Sequence, residues 1–185
     1  MTITVLERMI AALARLNAAV CGAGRHVAAA LLAVMTFAVL VQIVFRYVFN
    51  NSLSWSEELA KVMMVWATML VAPWAYRMGA NVSIDLFAEA LPARLRAVLG
   101  FVLNLLVVWI VWIFLIESVA LWQRGADTLS ATLPVKMSVF YAILPLGFGG
   151  MLAVGVELSL RQIAQFLNPA RSYAVPASHV PVADA

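Results

Sequence analysis

Four apolar runs of near-equal length constrain this chain more than any other feature. They fall at about residues 27–45, 59–76, 97–116 and 138–160. Each is close to the ~20 residues that an α-helix needs to cross ~30 Å of hydrocarbon at 1.5 Å per residue. A segment in hydrocarbon must satisfy its own backbone N–H and C=O groups, so runs of this kind are helices. Composition agrees: 65% of the residues are hydrophobic and only 11% charged, with a mean hydropathy of +0.98. Soluble domains run near 45–50% apolar and about 25% charged. The expected fold class is all-α: a polytopic membrane protein with four transmembrane helices plus an N-terminal amphipathic interfacial helix.

The amphipathic segment lies within residues 1–24. At about 100° per residue, Leu6, Met9, Ile10, Leu13, Leu16 and Val20 share one side, and Glu7, Arg8, Ala11, Arg15 and Ala18 share the other. Such a helix suits the membrane interface. It is either an anchor for the first span or an arm that braces a partner subunit. Residues 25–167 then form the four-helix membrane domain. Residues 168–185 contain Pro169 and Pro176 without helical periodicity, and are expected to be a disordered tail.

Basic residues at the span ends set the orientation. Arg8, Arg15, Arg25, Arg77, Arg94, Arg96, Arg161 and Arg171 fall on one side, and Arg46, Lys61, Arg124 and Lys136 on the other. Both termini are therefore expected in the cytoplasm. The net charge of +3 is scattered along the chain rather than gathered into a phosphate-binding stripe, which argues against a nucleic-acid partner; membrane lipids are the expected surroundings.

Catalytic patterns are missing. The two histidines, His26 and His179, lie at a span edge and in the tail, and there is no HExxH, nucleophile elbow or phosphate loop. Lone Cys21 excludes an intrachain disulfide and a multi-cysteine metal site. No cofactor is expected. A haem- or quinone-linked anchor would want histidines inside the spans. A self-sufficient small homo-oligomeric carrier or channel, the alternative from another class, would want an ionisable group at mid-depth. Lys61, Glu117 and Glu157 lie near span ends, where long side chains reach water. The deep polar residues Thr36, Gln42, Thr68 and Asn104 are expected to form interhelical hydrogen bonds. Trp66, Trp109 and Trp112 also lie deep, against lipid or another subunit.

One stretch gathers charge between the first two spans: RYVFNNSLSWSEELAKVMMVW, residues 46–66. Ser54 and Glu57 have capping-box spacing. Glu57 and Glu58 stand four and three residues before Lys61, which favours a salt bridge on one helical face. Asn50 and Asn51 suit a turn, and Arg46 closes the first span.

This run, followed by RMGANVSIDLF (77–87) and LPVKMSVFYAILPLGF (133–148), resembles the small membrane subunit of tripartite ATP-independent periplasmic (TRAP) transporters, the DctQ type. Pro134, Tyr141 and Pro145 fall where that family's fourth-helix region has them, and Asn81 stands where many relatives have histidine. The resemblance covers roughly residues 27–166. It implies a bacterial inner-membrane subunit of a sodium-coupled importer of carboxylates or related acids. A periplasmic substrate-binding protein would deliver the substrate, and a large multi-span permease subunit would carry the transport and sodium sites. This chain would scaffold that permease. Arg46, Trp55, Ser56, Glu57, Glu58 and Lys61 would then lie at the periplasmic side, as helix caps or facing a partner, and Arg77 and Asp85 at the cytoplasmic side. Gln42, Asn104, Pro134, Tyr141 and Pro145 are the expected helix-packing residues.

Overall fold

The first three apolar runs each become one helix and the fourth becomes two, and the helices extend beyond the runs. A computed structural model describes the backbone of residues 2–50, 54–88, 93–130, 132 and 134–167, and the side chains of residues 6–50, 55–79, 98–130, 132 and 134–166. Helix α1 (Thr2–Val48) is followed by α2 (Ser54–Ala88), α3 (Ala93–Arg124), a 3-10 turn (Gly125–Asp127), the short α4 (Met137–Tyr141) and α5 (Ile143–Leu167). Among the described residues, four helical stretches are long and apolar enough to cross a membrane, the fourth being α4 and α5 together. The expected tail at 168–185, the Asp85 side chain and the Ser54 side chain lie outside the described residues, although α2 does begin at Ser54.

The 47 residues of α1 make a rod of about 70 Å, more than twice the hydrocarbon thickness. The N-terminal amphipathic segment is thus continuous with the first span. Its apolar side is split. Met9, Leu16 and Val20 are exposed, while Ile10, Asn17, Cys21 and Ala28 form the buried seam. In lipid the greasiest side of a helix gains nothing by facing protein, so small and polar residues mark the packed side instead. Beyond α1, Asn50 adopts a φ of 52°, the left-handed conformation that asparagine tolerates when it ends a helix.

Helix α5 is the hub. It packs on α1, α2 and α3, whereas α3 makes its main contact with α5 and barely touches α2. Pro73 lies inside α2, and its missing N–H leaves the Met69 carbonyl without a partner one turn back. Neighbouring helices close on this turn at glycines. A Cβ on Gly147 of α5 would come 3.1 Å from the Met69 carbonyl oxygen, and one on Gly24 of α1 would come 2.7 Å from that of Leu70. Only a residue without a side chain lets both helices approach so far.

The connection from α3 to α4 is built rather than slack. Ser130 N–H donates to the Val135 carbonyl at 2.9 Å and Met137 N–H to that of Thr128 at 2.9 Å, giving an antiparallel bridge between Leu129 and Lys136. Pro145 falls in the first turn of α5, just past the break at Ala142. There a missing N–H costs little, so this proline marks the restart of the fourth span instead of kinking it.

Candidate functional site

The most concentrated polar chemistry lies inside the bundle, where α1, α2 and α5 meet. Glu157 of α5 has 0% of its surface exposed. Its Oε1 accepts from Arg77 Nη2 of α2 at 3.0 Å and from Arg161 Nε at 2.9 Å, with Arg161 Nη2 also at 2.8 Å. Its Oε2 accepts from Asn17 Nδ2 of α1 at 2.7 Å and from Arg77 Nε at 3.3 Å. Asn17 Nδ2 also donates to the Ala153 carbonyl at 3.2 Å, and Arg77 Nη2 to that of Ala14 at 3.5 Å. One carboxylate thus serves two guanidiniums and an amide.

An isolated charge in a low-dielectric interior costs far more than any single hydrogen bond returns, so the cluster exists only because each member has partners. Its chemistry is cohesive. Glu157 and Arg77 are the buried charged residues among the described ones, and they are committed to each other. The expectation that Glu157 reaches water from a span end is therefore corrected: proximity to the end of an apolar run does not fix where a side chain points, and the nearest favourable site was an arginine across the bundle.

A second network lies on either side of Glu157 along α5. Tyr76 Oη of α2 donates to Asn104 Oδ1 of α3 at 2.5 Å. Asn104 Nδ2 donates to the Gly155 carbonyl at 3.2 Å and to Ser159 Oγ at 2.7 Å. Ser159 Oγ in turn donates to Gly155 O at 2.9 Å. Asn104 is thus an interhelical tie, as its depth suggests, and Gln42 joins α1 to α2 by donating from Nε2 to Glu57 Oε1 at 3.2 Å. Thr36 and Thr68 differ from expectation. Their hydroxyls bond the Leu32 and Met64 carbonyls of their own helices at 2.8 and 2.9 Å, the local alternative open to any helical threonine.

At the opposite end of the bundle, Glu58 caps the α3–α4 connection. Its carboxylate accepts from the hydroxyls of Ser130 and Thr132 and, at 3.1 Å, from the Thr132 N–H. Glu57 faces Gln42. Neither carboxylate is in ion-pair distance of Lys61, so the expected intrahelical salt bridge gives way to partners from other elements. Ser56 is buried, Trp55 and Lys61 are exposed, and Arg46 is exposed in the last turn of α1. Pro134 is exposed in the connection, while Tyr141 packs over Gly125. Trp66 donates its indole N–H to the Phe140 carbonyl at 3.2 Å.

Sequence reasoning places Arg77 at a span end and passes over Asn17 altogether. Two signals were present: Glu157 stands four residues before Arg161, and opposite charges in separate apolar runs seek each other. Among the described residues, no three His, Cys, Asp or Glu side chains converge to hold a metal.

A bundle whose interior charges are spent on one another defines a small multi-pass membrane protein held together by polar ties. Residues 35–165 match the family model described as the DctQ component of tripartite ATP-independent periplasmic transporters, and the chain belongs to that family. It is a transporter component and not an enzyme. It is 29% identical over 140 residues to the sialic acid TRAP transporter small permease protein SiaQ of Vibrio cholerae, covering 76% of this chain and 75% of that one. It is 30% identical over 110 residues to the sialic acid TRAP transporter permease protein SiaT of Haemophilus influenzae, covering 59% of this chain and 18% of that one. It is 23% identical over 126 residues to the isethionate TRAP transporter permease protein DctMQ of Oleidesulfovibrio alaskensis, covering 66% and 20% respectively. The chain thus spans about a fifth of the length of these two permease proteins and three quarters of the small one.

Proposed function

We propose that this chain is the fixed small subunit of a bacterial inner-membrane importer, packing against a large permease of many spans. That permease carries the transport and sodium sites, and a periplasmic binding protein delivers a carboxylate or related organic acid to it. The observation that carries this reading is the Arg77–Glu157–Arg161 cluster, in which buried charge ties α1, α2 and α5 together. A carrier binds ions or substrates with ionisable groups that open to a cavity. Two relatives named for sialic acid and isethionate support an organic acid as the cargo. The two long permease relatives support a large partner.

Residues 25–167 form the membrane domain in this reading, the segment 1–24 braces it at the interface, and 168–185 lies in the cytoplasm with both termini. The cluster groups residues 14–17, 77 and 157–161 at one end of the bundle, the same end to which the basic-residue bias assigns the cytoplasm. Reconstitution tests the whole. Liposomes holding this chain alone do not take up a labelled organic acid under a sodium gradient, and those holding it with its co-purified partner and binding protein do. Uptake by the chain alone would overturn the proposal.

A further inference from the structure

Three tryptophans lie deep in the spans, and the structure treats them differently. Trp66 finds an acceptor inside the bundle, the Phe140 carbonyl, which stands just before the helix break at Ala142. Trp109 and Trp112 are 61% and 51% exposed, and neither indole N–H has an acceptor among the described residues. Trp109 stands sixteen residues after Ala93 and fifteen before Arg124, at the midpoint of α3. Tryptophans facing lipid belong at the headgroups, where the N–H meets water or ester oxygens. At mid-depth, acyl chains offer no acceptor, and an unmet donor there is costly.

The surrounding face is well defined. On α3, Asn104, Val111 and Ser118 are buried and face α5, its main neighbour. At 100° per residue, Trp109 points the opposite way, with Val102, Leu105, Trp112, Ile113 and Ile116 beside it, all exposed. This face carries two donors and no side-chain acceptor. A second copy docked through the same face would meet it with donors again, because a twofold interface pairs a surface with itself. Its backbone gives no relief, since α3 contains no proline and runs unbroken, so its carbonyls are taken by its own N–H groups.

We infer that the Trp109–Trp112 face of α3 docks the large membrane subunit, against a span that presents a free acceptor at mid-depth. That acceptor is a polar side chain or a carbonyl released at a helix interruption, as Phe140 releases one to Trp66 within this chain. The inference rests on the large-subunit reading above and adds to it which face meets the partner and by what chemistry.

The test uses the complex in native membranes, with p-benzoyl-phenylalanine placed at 109 or 112 by suppression. Ultraviolet light should give an adduct between this chain and the large subunit that co-purifies with it. Adducts with lipid or a second copy only, while the large subunit still co-purifies, would overturn the docking face and leave the function standing. Failure of any large subunit to co-purify would overturn both. A W109F/W112F variant keeps the rings and removes the N–H groups. Interhelical hydrogen bonds in membranes are modest, so retention of the large subunit in mild detergent should fall by about threefold to tenfold. The chain's own unfolding should not change, because both side chains point away from its core. Undiminished retention would overturn the hydrogen-bond basis of the face.

Discussion

Glu157 and Arg77, 80 residues apart in the chain, form a 3.0 Å ion pair in which the carboxylate is fully buried. Arg161 binds the same oxygen, so one carboxylate serves both arginines. Removing the shared carboxylate and removing one of its partners should therefore have unequal consequences. Glu157→Gln takes the counter-charge from the buried Arg77 guanidinium, and should cost about 3–5 kcal/mol, the usual penalty for orphaning a buried charge. Arg77→Met leaves Glu157 with Arg161, a neutral pair, and should cost only about 1.5–3 kcal/mol, the loss of hydrogen bonds to a charged group. Denaturant unfolding in detergent micelles, followed by tryptophan fluorescence, measures both. Equal losses, or the reverse order, would mean that fork geometry outweighs charge balance here.

Asn104 makes its hydrogen bonds to α2 and α5 from α3, and α3 has little other contact with α2. Asn104→Leu fills the volume and removes the tie. The expected cost is about 0.6–2 kcal/mol, the range for polar contacts between membrane helices. Tyr76→Phe should cost no more than this, and the double variant should cost less than the two singles together, because both remove the same 2.5 Å bond. Full additivity in a double-mutant cycle would separate the two residues.

Span number, span order and the depth of Asn104 were legible in the sequence because hydrocarbon imposes length and hydropathy directly. Which side of each span faces inward was not. In water an apolar stripe marks the core, but Met9, Leu16 and Val20, on the apolar side of the amphipathic segment of α1, are exposed. In lipid the rule loses its force, and the seam runs through Asn17 and Cys21. The partners of Glu57 and Glu58 were hidden for another reason. Spacing along a helix reveals Lys61 as a neighbour, but Gln42, Ser130 and Thr132 come near only through tertiary folding. Arg77 reads as a span-end residue by position, and its place in the cluster depends on α5 passing close by, which the Pro73 turn and Gly147 allow.

Close approach at that turn separates glycines that look alike in sequence. Gly24→Ala would place a Cβ 2.7 Å from a backbone oxygen of α2, which cannot retract as a flexible side chain can. The two helices must move apart, and overpacking of this kind costs about 1–3 kcal/mol. At Gly149 a Cβ meets nothing within 4 Å, so Gly149→Ala should be neutral or should stabilise by up to about 1 kcal/mol through helix propensity. Thermal unfolding of the two variants side by side checks the contrast. A destabilised Gly149→Ala would place an unseen neighbour, such as another subunit, against that side of α5.

The last prediction concerns the α3–α4 connection, which Glu58 holds from α2 through Ser130 and Thr132. Glu58→Ala removes every one of those acceptors, yet leaves the connection its own pairs, Ser130 N–H to Val135 O and Met137 N–H to Thr128 O. The connection should therefore loosen without dissolving. In hydrogen exchange, the Thr132 amide loses its acceptor outright and should exchange fastest. The Ser130 and Met137 amides should speed up less, because their partners remain and only the anchorage to α2 is gone. Glu58→Gln keeps an acceptor oxygen and should fall between the two. If all three amides accelerate alike in Glu58→Ala, the bridge between Leu129 and Lys136 has no stability of its own, and the carboxylate is what folds the connection.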